Sequence, residues 1–173
     1  MKKLFTLLAL TMSFSMNAQL TAVSEGGNTG QRLSTSNASN HGDIGSNAVD
    51  LSYSNSSSST RGATGNYSVA SGWQTIASGN YSVASGWQTI ASGNYSTAMG
   101  VSTTASGTES TATGWQTTAS GIGSTAMGEQ TTASGESSTA MGYQSTASGI
   151  GSTAMGKSLS LIHISEPTRL TRI

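Results

Sequence analysis

Cysteine is absent from the 173 residues, proline occurs once, and only 8% of the chain is charged. Without cysteine, no disulfide staples the fold. Between residues 65 and 156 there is no His, Lys, Arg or Asp, and the acids are Glu109, Glu129 and Glu136. That stretch therefore holds no catalytic constellation and no phosphate-cradling Lys. It also lacks the Asp in each repeat that calcium-binding solenoids need. Over residues 19–157, three Lys and Arg face six Asp and Glu. Such a mildly acidic surface excludes non-specific binding to nucleic acid. The longest apolar run, residues 4–14, is too short to span a bilayer. Outside the block, His41 and Asp43 lie in a Gly-rich stretch and read as solvated surface rather than ligands. Low charge with abundant Gly and Ser is also the composition of a disordered linker.

Strict register argues against disorder. Residues 65–155 are one heptad written thirteen times without insertion, Gly-x-x-[Ser/Thr]-[Val/Ile/Thr]-Ala-[Ser/Met/Thr], and Gly156 opens a fourteenth. Position one is Gly from Gly65 to Gly149, and position six is Ala in every copy from Ala70 to Ala154. A flexible linker has no need of Ala at every seventh place. Copies also alternate. Odd copies begin Asn66-Tyr67-Ser68 and carry Met at position seven (Met99, Met127, Met141, Met155), whereas even copies begin Trp73-Gln74-Thr75 and end in Ser. The period is therefore fourteen, and two heptads make one structural unit.

A period of seven invites a coiled coil, but that needs two large apolar residues per heptad. Gly once per heptad costs a helix about 1 kcal/mol each time. Positions four to seven instead alternate like a short strand, four and six to one side, five and seven to the other. Val, Ile and Thr at position five suit a pleat. Gly and the two variable residues after it read as a turn. The expectation is an all-β fold, a narrow parallel β-solenoid or β-roll with fourteen-residue coils. Thirteen copies make about six and a half rungs, and a rod on the order of 30 Å. Ala70 then sits beneath Ala84, and the small face at positions four and six turns inward.

Val69, Val83, Met99, Met127, Met141 and Met155 all fall on the outward face of the odd strands. The reading is that they line an interface between copies of the chain, closed symmetric homo-oligomers being the common case. The alternative is that the Met stripe is internal core of a monomer. Trp73, Trp87 and Trp115 occupy position two of even copies, as does Tyr143, and these positions read as loops. Such aromatics are candidate ligand contacts, or they simply stack on one another along the rod.

The units Gly93-Asn94-Tyr95-Ser96-Thr97-Ala98-Met99-Gly100 and Gly135-Glu136-Ser137-Ser138-Thr139-Ala140-Met141-Gly142 resemble the head repeats of trimeric autotransporter adhesins, the YadA-like group. Their motif is Asn-Ser-Val-Ala-Ile-Gly. Here Asn lies one place earlier (Asn66, Asn80, Asn94), and Ser or Met stands for Ile. The resemblance covers residues 58–156. It implies a left-handed β-roll, a homotrimer, display at the cell surface or outer membrane, and adhesion in virulence. The partners it implies are an extracellular matrix protein, a glycan or an abiotic surface. It carries over no particular ligand and no cofactor, metal site or catalysis.

Lys2 and Lys3, the apolar run and Ala18 before Gln19 read as a secretory signal over residues 1–18. Residues 19–40 are polar and read as disordered. Residues 41–64 read as an N-terminal cap, which solenoids need, with an edge strand at Val49-Asp50-Leu51-Ser52-Tyr53-Ser54 and a degenerate heptad at 58–64. Residues 159–169 resemble the translation of a transposon-end sequencing adapter. The tail 157–173 is therefore expected to be foreign to the repeat, leaving a head fragment without its anchor; a short C-terminal cap strand, Leu159 to Ile164, is the alternative. Three functions compete: an adhesin head without catalysis, an ice-binding solenoid using the ladder Thr104-Ala105-Ser106, Thr118-Ala119-Ser120, Thr132-Ala133-Ser134 and Thr146-Ala147-Ser148, and a structural display spacer.

Overall fold

The computed structural model describes residues 20–161. The expected secretory signal over residues 1–18 and the tail from residue 162 onward lie outside the described residues.

The chain opens with β1 (Leu20–Glu25) and β2 (Asn28–Leu33), an antiparallel hairpin turned at Gly26 and Gly27. A single 3-10 turn, Ala38–Asn40, leads to β3 (Val49–Tyr53) and β4 (Gly62–Ala63). From there each pair of heptads gives a five-residue and a two-residue strand. These are β5 (Val69–Trp73) and β6 (Ile76–Ala77), β7 (Val83–Trp87) and β8 (Ile90–Ala91), β9 (Thr97–Val101) and β10 (Thr104–Ala105), and β11 (Thr111–Trp115) and β12 (Thr118–Ala119). They continue as β13 (Thr125–Glu129) and β14 (Thr132–Ala133), β15 (Thr139–Tyr143) and β16 (Thr146–Ala147), and β17 (Thr153–Lys157) and β18 (Ser160–Leu161).

The long strands stack into a ten-stranded sheet that begins with β1 and β2, and the short strands stack into an eight-stranded sheet facing it. Apart from β1, pairing is parallel, and within the repeat it advances by one fourteen-residue coil: Ala70 pairs with Ala84 and Ile76 with Ile90. The fold is the expected parallel β-solenoid, and it is longer than the repeat alone. Counting the turn that β2 begins, there are about nine turns against the six and a half expected.

Inside, the alternation runs as the heptad dictates. Every position-six Ala from Ala70 to Ala154 is fully buried, and so is the position-four Ser or Thr from Ser68 to Ser145. The two sheets close on one another across side chains no larger than Thr, so the core is a ladder of small groups.

Two expectations are corrected at the N-terminal end. Residues 20–33, expected to be disordered, form the hairpin β1–β2. β3, expected at a sheet edge, lies inside the sheet between β2 and β5. The alternation of its residues is that of a strand with one face on the core, which an interior strand shares with an edge one. Its coil is longer than the others, since Val49 pairs with Val69 twenty residues on. β4 keeps the heptad phase, with Ala63 buried and paired to Ala77. At the other end, Ser160 and Leu161 pair with Thr146 and Ala147 in the same register.

The turns follow the sequence reading in part. The third residue of each heptad is left-handed, with Tyr67, Gln74, Tyr81 and Gln88 at φ between 52° and 58°, and the Gly of each even copy also has a positive φ, 112° at Gly72 and 127° at Gly86. Gly is required for a second reason as well. A Cβ on Gly107 would lie 2.0 Å from the carbonyl oxygen of Gly121 on the next rung, and one on Gly72 the same distance from that of Gly86. The chain passes so close to itself at these corners that only hydrogen fits.

Candidate functional site

Strand pairing runs through the Gly of each even copy, so the long strands reach position two of that copy. Three columns therefore run along the ten-stranded sheet. The first holds Val49, Val69 and Val83, followed by Thr97 and further Thr. The second holds Leu51, Ser71, Ser85, Met99, Thr113, Met127, Met141 and Met155. The third holds Tyr53, Trp73, Trp87, Val101, Trp115, Glu129, Tyr143 and Lys157.

Two readings change as a result. The aromatic residues at position two of even copies are strand residues, not loop residues. They stand two residues beyond the Met column along each strand, past a Gly of positive φ, so the aromatic column borders the Val and Met stripe. The alternative of a Met stripe inside the core is also overturned: Met99 is 42% and Met155 60% exposed, while the interior positions belong to Ala. Val69, Val83, Met127 and Met141 are half-buried on this face, as is Trp73, whose ring meets Tyr53 with centroids 5.1 Å apart. Trp87, Trp115 and Tyr143 are exposed.

The opposite face carries Ile76, Ile90 and then Thr104, Thr118, Thr132 and Thr146 in one half-buried column. The exposed Ser106, Ser120, Ser134 and Ser148 lie just past the ends of the short strands. Their backbone stays in the stack, with Ser106 N–H donating to the Ala119 carbonyl at 2.9 Å.

The two corners between the faces are side-chain ladders. At one, Asn66 N–H donates to the Asn80 side-chain oxygen and Asn80 N–H to that of Asn94, both at 3.0 Å. Beside them, Tyr67, Tyr81 and Tyr95 stack face to face. At the other corner, Gln144 donates to Gln130 at 2.8 Å and Gln130 to Gln116 at 3.1 Å. Polar side chains here bridge rungs rather than forming a pocket.

The one charged cluster buried among the described residues is in the cap. Asp50 occupies the inward position that Ala70 holds in the next coil, and it is fully buried. Its carboxylate accepts from His41 Nδ1 at 2.9 Å, Ser52 Oγ at 2.6 Å, Ser52 N–H at 3.0 Å and Arg32 Nε at 3.3 Å. Arg32 reaches on to Glu25 at 2.8 Å and the Gly42 carbonyl at 2.9 Å. Burial pushes the Asp50 carboxyl up, but hydrogen bonds from His41 and Ser52 outweigh it and hold the group below its ordinary value. His41, expected on the solvated surface, is thus a buried partner of Asp50, whereas Asp43 is exposed as expected.

Ser52, His41 and Asp50 are the residue types of a nucleophilic triad, but their geometry differs from one. A triad needs one imidazole nitrogen on the hydroxyl and the other on the carboxylate. Here Ser52 and Asp50 share the Nδ1 side, and the Ser52 hydroxyl is spent on the carboxylate. Among the described residues, no group of three or more His, Cys, Asp or Glu could hold a metal ion.

A family model described as the YadA head domain repeat (2 copies) matches residues 63–89, 91–117, 119–145 and 133–158, more than half of the chain. No curated protein matches it.

Proposed function

Since the chain belongs to the YadA head-repeat family, we propose that it is the exported, surface-displayed head of an adhesin, working without catalysis as a homotrimer. The observation that carries this reading is the outward face of the ten-stranded sheet. Val69, Val83, Met99, Met127, Met141 and Met155 run along it in two columns with no charge among them. A stripe of this length, backed by a rigid sheet, matches another copy of itself far better than it matches water. Three copies around an axis bring their stripes together and leave the Thr and Ser faces outward. Trp87, Trp115 and Tyr143, at the margin of the stripe, then border the groove between neighbouring copies. They are the side chains offered to a matrix protein, a glycan or an abiotic surface.

The test begins with solution mass. Sedimentation equilibrium should give three times the chain mass. The pair Met99→Glu and Met127→Glu should reduce it to one, because two charges per copy would be desolvated in the interface. With the trimer intact, Trp87→Ala plus Trp115→Ala should weaken retention on coated surfaces. A monomeric wild type overturns the assembly, and unchanged retention turns the aromatic column into a spacer's decoration. The Thr104, Thr118, Thr132 and Thr146 column supports ice binding as a second reading. Thermal hysteresis at micromolar protein would replace adhesion with it.

A further inference from the structure

We propose that Tyr67, Tyr81 and Tyr95 form an oxidative cross-linking site, at which a one-electron oxidant joins Tyr81 to one of its two neighbours as dityrosine. The inference is independent of adhesion and rests on the corner geometry of a single chain.

The three rings lie in one column at position three of successive odd copies. Their centroids are 4.9 Å and 5.1 Å apart and both interplanar angles are 3°. Each ring is at least half exposed. The backbone that carries each ring is not free to drift from its neighbour. Each tyrosine sits at φ 56° to 58°, the left-handed region a bulky residue seldom enters. Each N–H is held by the carbonyl one rung back: Tyr81 donates to Asn66 and Tyr95 to Asn80, both at 2.8 Å. The Asn ladder alongside ties the same corners a second time. The backbone thus holds two phenols together permanently, and the exposed rings keep the freedom to tilt about χ1. Such an arrangement turns an encounter between radicals into a unimolecular step.

In the reaction, each of two phenols gives one electron and one proton to the oxidant, for which hydrogen peroxide with a haem peroxidase serves. The two phenoxyl radicals join through the ring carbons ortho to oxygen. Each ortho hydrogen then moves to oxygen as a proton and restores the phenol. The chain loses two hydrogen atoms in all, and the peroxide is reduced to two waters. The product ties two adjacent turns covalently.

The molecule contains its own controls. Tyr53 faces Trp73, and Tyr143 lies under the Lys157 ammonium at 5.8 Å, so neither has a tyrosine beside it. Tyr67 and Tyr95 are two rungs apart, roughly 10 Å, beyond coupling distance. Tyr81 must therefore take part in every link.

The full chain treated with peroxide and peroxidase should give a single-chain species lighter by two hydrogen atoms, with dityrosine fluorescence. Peptide mapping should place the link between Tyr81 and Tyr67 or Tyr95. Tyr81→Phe should abolish it. Tyr67→Phe and Tyr95→Phe should each leave one link, and the two together none, which covers the case in which a single variant fails to fold. Links only between chains, links that include Tyr53 or Tyr143, survival of the single-chain link in Tyr81→Phe, or no link at all would overturn the proposal.

Discussion

The cap and the rod solve the same problem with opposite materials. In the rod, the inward positions are Ala, Ser and Thr, no charge is buried, and stability is the sum of nearly identical rung-to-rung contacts. In the cap, one inward position is Asp50, and Arg32, His41 and Ser52 are gathered around it. A repeat unit can be small because its neighbours above and below supply the missing surface. The first coil has no repeat beneath it, and the hairpin β1–β2 takes that place. Two charged side chains crossing between β2 and β3 fix its register. The rod is specified by the size of its side chains and the cap by their pairing, so each fails in its own way.

The largest expected effect breaks the cap. Asp50→Ala leaves Arg32 buried with Glu25 and a carbonyl, and removes the acceptor of His41 and Ser52. Stripping one partner from a buried ion pair costs about 3–5 kcal/mol. Hydrogen exchange should show amides of residues 20–53 losing protection while those of β9 to β15 keep theirs. Loss of protection throughout would mean that the two regions unfold as one. Next comes the rod. Gly107→Ala drives a Cβ into the Gly121 carbonyl and should cost about 1–3 kcal/mol by overpacking. The damage should spread along the stack, visible as a lowered Tm in circular dichroism. Gly123→Ser sharpens the point. Position 123 is open, but its φ of 62° strains any side chain, as it does Ser137 one rung on, so the change should cost about 1 kcal/mol with no damage to the neighbouring rungs.

The rod was legible because its cause is periodic. Ala at position six of every heptad announced the inward ladder, and a beat of fourteen announced which residues stack. What misled was Gly72 and its equivalents. Read only as turn residues, a reading their φ of 108° to 137° supports, they give no hint that the strand runs on through them or that the Gly86 carbonyl lies close to Gly72 one rung away. That error hid the fact that Trp73 continues the strand of Val69. The small size of position four was also legible, but the bonding of its hydroxyls was not: Ser68, Ser145 and Ser152 donate to backbone carbonyls. From Thr75 to Ser138, ten buried hydroxyls at that position have no hydrogen-bond partner among the described residues. The cap is aperiodic, and its residues meet across 18 positions of sequence. Two signals were nevertheless present. Leu20–Glu25 and Asn28–Leu33 flank Gly26-Gly27, a hairpin pattern that the polar composition masked. Asp50 stands at an inward position of an alternating strand, where a charge demands a partner. Between residues 19 and 156 the cations are Arg32 and Arg61 alone.

Acid should separate the two regions most gently. Burial raises the Asp50 pKa, but His41 and Ser52 more than offset this, so the folded value lies below the ordinary 3.8. A depressed carboxyl contributes stability that is complete above the unfolded value and disappears as pH falls through the folded one. Between pH 7 and about 4, Asp50 therefore leaves the cap unchanged, and loosening sets in only below that range. The rod has no titratable group at its inward positions, and Glu109, Glu129 and Glu136 sit outside the core. Limited digestion with an acid protease across pH 4 to 2 should cut residues 20–61 first, at a rate rising as pH falls, while the repeat block stays intact. Asp50→Asn keeps the volume and removes the titration, so cutting of its cap should start faster and vary less with pH. Cleavage that begins in the rod, or a cap that opens already near neutral pH, would mean that the buried carboxylate is not what holds the first coil in place.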